Sequence, residues 1–179
     1  MLETNFLEST QRQFKYYKTI GERAMAQIDD EQFFWQYNPE SNSVAIIVKH
    51  LWGNMMSRFT DFLSSDGEKE WRERDEEFEL RDATREELMD KWEEGWACVF
   101  AALGSVNTAN IDATIYIRNM GHTVVEAFYR QTNHYAYHIG QLIYIARMLK
   151  GNEWESLSIP KGKFSQPKRK GHFSDDYLK

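Results

Sequence analysis

An all-α fold, a four-helix bundle with a short β-like ribbon before its last long helix, is what this sequence predicts. Three observations carry that expectation. The chain is poor in helix breakers, with 3 Pro and 10 Gly in 179 residues. Four long stretches repeat apolar residues at helical spacing, and most of them begin or end on a recognisable cap. Four amphipathic helices in about 150 residues bury their stripes most simply against one another.

The first predicted helix covers residues 2–28. Leu7, Phe14, Tyr17, Ile20, Ala24 and Ile28 recur at steps of three, four or seven among polar neighbours, and Asp29–Asp30 closes it. Asn38 to Ser43 is a turn cluster, and Ser43 or Asn42 caps a second helix that runs to about Leu63. Val44, Val48, Leu51, Met55, Phe59 and Phe62 form its stripe, and Ser64–Ser65–Asp66–Gly67 stops it. Residues 66–83 are charged and poorly periodic, so a connection over the surface is expected there. Thr84 and Glu87 form a capping box for a third helix that ends near Leu103, before Gly104–Ser105, with Leu88, Trp92, Trp96, Val99 and Phe100 inward. Ile115 to Arg118 is β-like, with Asn119 to His122 as its turn. Thr123 caps the fourth helix, residues 124–149, and Gly151 ends it. Residues 1–160 are expected to form one domain, followed by a basic tail, 161–179, whose Lys168–Arg169–Lys170 is read as a solvated end.

Composition excludes several classes of function. One cysteine rules out an internal disulfide framework, an all-cysteine zinc site and an iron–sulfur cluster. Any metal must therefore be held by histidines and carboxylates. Cys98, between Ala97 and Val99, reads as a small core residue with nothing near it to depress its pKa. The net charge of −6 is concentrated in residues 66–94, where fourteen acidic residues stand against six basic ones. Such an acidic body argues against a nucleic-acid binder. No apolar run approaches the roughly 20 residues that span a membrane, and Met1 to Asn5 does not resemble a signal peptide. A cytoplasmic location is expected. Phosphate-binding loops, the dinucleotide fingerprint and the nucleophile elbow are not found. The aromatic content of 15% reads as core packing, with a few rings free to line a pocket.

The histidines are more informative. His134 and His138 are four residues apart, so their rings share one helix face about 6 Å apart along the axis, a spacing that suits two imidazoles on one ion. The face continues through Gln131, Gln141 and Ile145. Tyr135 stands where a zinc-protease motif would carry glutamate, which excludes that motif. His50 lies mid-helix in the apolar run Val44 to Trp52, where a buried ring needs a partner for each nitrogen. A metal would satisfy one nitrogen. The competing reading is a core histidine bonded to a backbone carbonyl or to Asn54. Three histidines from two facing helices would leave coordination positions open, as in catalytic rather than structural sites. His122, beside Gly121 in a turn, and His172, in the tail, are read as non-ligands.

With these residues in view, the chain resembles the DinB/YfiT-like superfamily of bacterial metalloproteins. The resemblance rests on His50 with Asn54 one turn later, and on His134, His138 and Gln141. Four stretches look closest to an uncharacterised DinB-like branch of Bacillus-type bacteria: Asn42 to Leu51, Asp66 to Glu79, Tyr135 to Gln141 and Leu157 to Lys163. It spans about residues 5–165. The resemblance implies an up-down-down-up bundle, often homodimeric, that binds a divalent metal ion, nickel or zinc, through His50, His134 and His138. Asn54 and Gln141 would then orient ligands or line a pocket. It also implies a thiol-dependent S-transferase that joins a low-molecular-weight thiol to an electrophile. Apart from the resemblance, the tail residues Lys161 and Lys163 are candidates to meet the thiol's carboxylates. The alternatives are a metal-dependent hydrolase and a non-catalytic, stress-associated metal-binding or scaffold protein. No residue stands out as a general base.

Overall fold

The computed structural model describes residues 2–160 and 162. The Lys161, Lys163 and Lys168–Arg169–Lys170 expectations, and His172, lie outside the described residues. Among the described residues the chain is mainly helical, with five α-helices and a two-stranded ribbon: α1 (Leu2–Met25), α2 (Asp30–Phe34), α3 (Val44–Phe59), α4 (Arg85–Ser105), β1 (Thr114–Ile117), β2 (Met120–Thr123) and α5 (Val124–Lys150).

Most expected caps do the work assigned to them. Ser43 accepts from the Ile46 amide at 3.1 Å and starts α3. Thr84 with Glu87 and Thr123 with Glu126 close reciprocal capping boxes at α4 and α5. Gly151 ends α5 at φ +58°, a backbone region that glycine enters without strain.

Four boundaries differ from the sequence expectation. The third long helix does not stop before Gly104–Ser105 but runs through both, and the backbone turns extended only at Val106. The first helix stops at Met25, not Ile28, because Asp29 opens a helix rather than closing one: it caps α2 in its own box with Gln32. The second long helix stops at Phe59 instead of reaching Leu63, since Thr60 turns extended and Asp61 takes φ +51°. The ribbon turns at Arg118 and Asn119, not at 119–122. Both residues have positive φ (56° and 60°), as a two-residue hairpin turn of the right twist requires. Asp66 holds that turn from outside, its carboxylate accepting the Arg118 and Asn119 amides at 2.8 and 2.7 Å.

The four long helices share one core. α3 packs chiefly on α4 and α1 on α5, while α3 also meets α5 and α1 meets α4. The largest buried rings interlock across these seams. Tyr135 lies 5.7 Å from Phe14 and 5.5 Å from Trp96, and Trp92 stands edge-on to Trp96 at 5.6 Å. Such geometry adds about 0.5–1.5 kcal/mol per pair beyond area burial. Leu88, Trp92, Trp96 and Val99 face inward as expected, whereas Phe100 is only half-buried. No helix among the described residues is long and apolar enough to cross a membrane.

The core makes unequal demands on two of its residues. Trp96→Ala should cost about 3–5 kcal/mol in urea unfolding, and Ser43→Ala only about 1 kcal/mol. A Trp96 variant as stable as the Ser43 variant would show that the aromatic cluster does not carry the core.

Candidate metal centre

The apolar run of α3 places His50 in the interior, and the i, i+4 step of α5 turns His134 and His138 toward it. The three rings meet, with centroids 4.7–5.4 Å apart. One nitrogen from each lies within 4.8 Å of the other two. The competing sequence reading of His50, a ring bonded to the backbone or to Asn54, is not what the structure contains.

His50 is instead bonded to an acid. Its Nδ1 lies 2.8 Å from Glu77 Oε2, so with a carboxylate as acceptor Nδ1 carries the proton and Nε2 presents a lone pair. Glu77 is itself gripped by Arg72, whose Nε and Nη2 donate to its two oxygens at 2.7 and 3.1 Å. Burial works to raise the Glu77 carboxyl, but the hydrogen bonds from His50 and Arg72 outweigh it and hold the group below the usual carboxylate range. The same arrangement recurs at His138, whose Nδ1 donates to Gln141 Oε1 at 3.0 Å. Its Nε2 is buried and without a hydrogen-bond partner.

His134 completes the cluster. Its Nε2 is 3.4 Å from His50 Nε2, and its Nδ1 is buried without a partner. Burial is the main cause that lowers His134 to about 3 and His138 to about 4, helped by the neighbouring rings. Both rings are therefore neutral at pH 7, the form in which imidazole binds a metal.

These residues fit a divalent ion. Two nitrogens bound to one tetrahedral ion at about 2.0–2.1 Å each stand about 3.4 Å apart, the separation of the His50 and His134 Nε2 atoms. The unpartnered His138 Nε2 is the kind of buried polar atom an ion would satisfy. Glu77 and Gln141 already hold the outer nitrogens as second partners do in metal sites. Among the described residues no fourth histidine, cysteine or carboxylate joins the three.

A family model described as "Protein of unknown function (DUF1572)" matches residues 2–163. The chain belongs to this family. No curated protein and no solved structure matches it.

The remaining candidates of this DUF1572 chain fall in different places. Gln141 orients His138. Asn54 is buried and borders a cavity with His50 and His134, but its Oδ1 accepts from the Tyr135 hydroxyl at 3.4 Å and not from a histidine. His122 sits in β2, opposite Ile115. Cys98 is half-buried beside Thr60, and burial pushes its thiol up, away from nucleophilic use. The sequence reading missed Glu77 and Arg72, because they lie in the charged stretch 66–83 that was expected to run over the surface. Glu77 is instead 4% exposed. One signal pointed to it. Gly53 stands inside α3, where glycine costs about 1 kcal/mol against alanine, and such a glycine marks a close approach. A Cβ there would collide with the Glu77 carboxylate.

Two outcomes follow from this geometry. Gly53→Ala should dislodge Glu77 and weaken metal binding 10- to 100-fold, the usual cost of losing an outer partner, while the fold persists by circular dichroism. Unchanged affinity would remove Glu77 from the centre. The second concerns pH. His134 and His138 bind protons less readily folded than unfolded, so the metal-free chain is fully stabilised above pH 6.5 and loses stability as pH falls toward their folded values. Denaturation midpoints should drop between pH 6.5 and 5, and His134→Gln should flatten that slope.

Proposed function

We propose that this chain is a DinB-like, divalent-metal-dependent enzyme that transfers a low-molecular-weight thiol to an electrophile, with zinc or nickel held by His50, His134 and His138. The up-down-down-up order and the homodimer implied by the resemblance belong to the same proposal. The observation that carries it is the convergence of three imidazoles with no fourth protein ligand among the described residues. A structural site would be closed by one more side chain.

When bound, such an ion supplies Lewis acidity that lowers the pKa of a thiol or water at its open position. The chain's own residues do the rest. Arg72 fixes Glu77, Glu77 fixes the proton of His50 on Nδ1, and Gln141 does the same for His138. In the neutral rings of His50 and His138 the inner nitrogen is thereby the one left without a proton, and the inner nitrogens come together at one point. Cys98 takes no part, so the reacting sulfur comes from the cosubstrate.

Two cavities reach the histidines or Gln141. One of about 300 Å³ is walled by His50 and His134. The other, about 440 Å³, is lined by Trp35, Tyr37, Tyr144 and Met148 and reaches Gln141. Its aromatic walls suit the apolar body of an electrophile.

Metal analysis followed by a conjugation assay tests the proposal. The purified chain should hold close to one equivalent of zinc or nickel, and His138→Ala should lose it. Loaded protein should conjugate a small thiol to monochlorobimane, and chelation should abolish the activity. Less than about a tenth of an equivalent, unchanged in His138→Ala, would end the metal reading. Full metal without metal-dependent conjugation across several thiols and electrophiles would end the transferase reading alone.

A further inference from the structure

The cavity beside His50 and His134 has a second property that the metal centre does not use. Its wall holds Arg58, Arg72, Arg74, Arg118 and Arg130, and no carboxylate lines it. Five guanidiniums at one opening are unexpected on a chain of net charge −6. Part of that charge is neutralised from behind. Glu77 engages Arg72, and Glu68 Oε2 is shared by Arg58 at 3.2 Å and Arg118 at 2.9 Å. Five arginines against these two glutamates leave three positive charges without compensation.

The uncompensated charge has a location. Arg74 and Arg130 are exposed and have no acidic partner among the described residues. Arg72 is almost fully buried, at 2% side-chain exposure, and still has Nη1 without a hydrogen-bond partner. The Gln131 side-chain oxygen on the same wall is also buried and unpartnered. Like charges gathered in this way repel one another, and a guanidinium is best satisfied by a carboxylate or phosphate in its fork. The cavity is of small-molecule size, and the acidic body excludes a nucleic-acid track.

We propose that this cavity seats the anionic end, carboxylate or phosphate, of a small molecule whose electron-pair donor reaches the point between His50 and His134. The anion seat stands on the arginines. The position of the donor end rests on the metal reading above. The guanidiniums select and orient the ligand, and the donor end would reach the ion that the three imidazoles would hold.

Calorimetric titration separates these parts. Zinc-loaded and zinc-free protein are titrated with mercaptosuccinate, 2-mercaptoethanol, succinate and inorganic phosphate. Mercaptosuccinate should bind the zinc-loaded protein at least tenfold more tightly than 2-mercaptoethanol. The advantage should shrink as salt is raised. The double substitution Arg74→Gln/Arg130→Gln should reduce mercaptosuccinate affinity at least tenfold, with zinc content and 2-mercaptoethanol binding unchanged. Equal affinities for the two thiols, or an advantage that survives the double substitution, would overturn the proposal. Succinate against phosphate shows which anion the seat prefers. If the chain takes up no zinc, the metal reading falls. Succinate or phosphate binding that the double substitution weakens tenfold then still establishes the anion seat, and no binding of either removes it.

Discussion

A single carboxylate, buried between a histidine and an arginine, sets the chemistry of the centre. Glu77 is expensive to place in the interior, because an ionised carboxyl loses its water there. His50 and Arg72 offset that cost together, His50 with one hydrogen bond and Arg72 with a two-pronged, charge-assisted contact. The arrangement determines which nitrogen of His50 bears the proton, and therefore which nitrogen is free. Were Glu77 displaced, the ring could turn or change tautomer, and the convergence with His134 and His138 would be lost. The gap that admits the carboxylate exists only because α3 carries no side chain at Gly53.

α5 serves two environments at once. Phe128, Tyr135, Ile139 and Leu142 are buried in the apolar core, whereas Gln131, His134 and His138 form the adjacent stripe. Tyr135 joins the two: its ring packs between Phe14 and Trp96, and its hydroxyl reaches Asn54 below the cavity. Precise placement of the histidines is thus inherited from the packing of large, rigid rings, which allow little rotation of the helix about its axis.

How much of this was legible in the sequence follows from the range of the interactions. Ser43, Thr84 and Thr123 could be read as caps because a cap bonds residues only three apart. The pair His134 and His138, with Gln141, was legible for the same reason. His50 could be singled out from its apolar neighbours, though the convergence of three rings needed the tertiary fold. Glu77 was not legible: it contributes from 27 positions away, in a stretch whose charge density resembles a solvated face. Its partner Arg72 was hidden in the same way. The ribbon turn was misplaced by one residue, since Asn119–Met120–Gly121 carries a strong turn signal whereas the decisive bonds come from Asp66, 52 residues before Arg118. The arginine wall could not have been anticipated at all, because its members come from α3, the connection, the hairpin and α5.

The grip of Asp66 on the hairpin has a consequence for how the molecule breathes. One carboxylate satisfies the two amides of a left-handed turn, and the same segment is tied back by the Gly67 amide to the Tyr116 carbonyl at 2.8 Å and by Glu68 to Arg118. Ribbon and connection are consequently one cooperative unit: neither can open without surrendering the bonds of the other. That unit bears Arg118 at one end and, farther along, Arg72 and Glu77. Exchange of its amides with solvent should therefore occur in a single concerted event, one that loosens the cavity wall and the outer partner of His50 together.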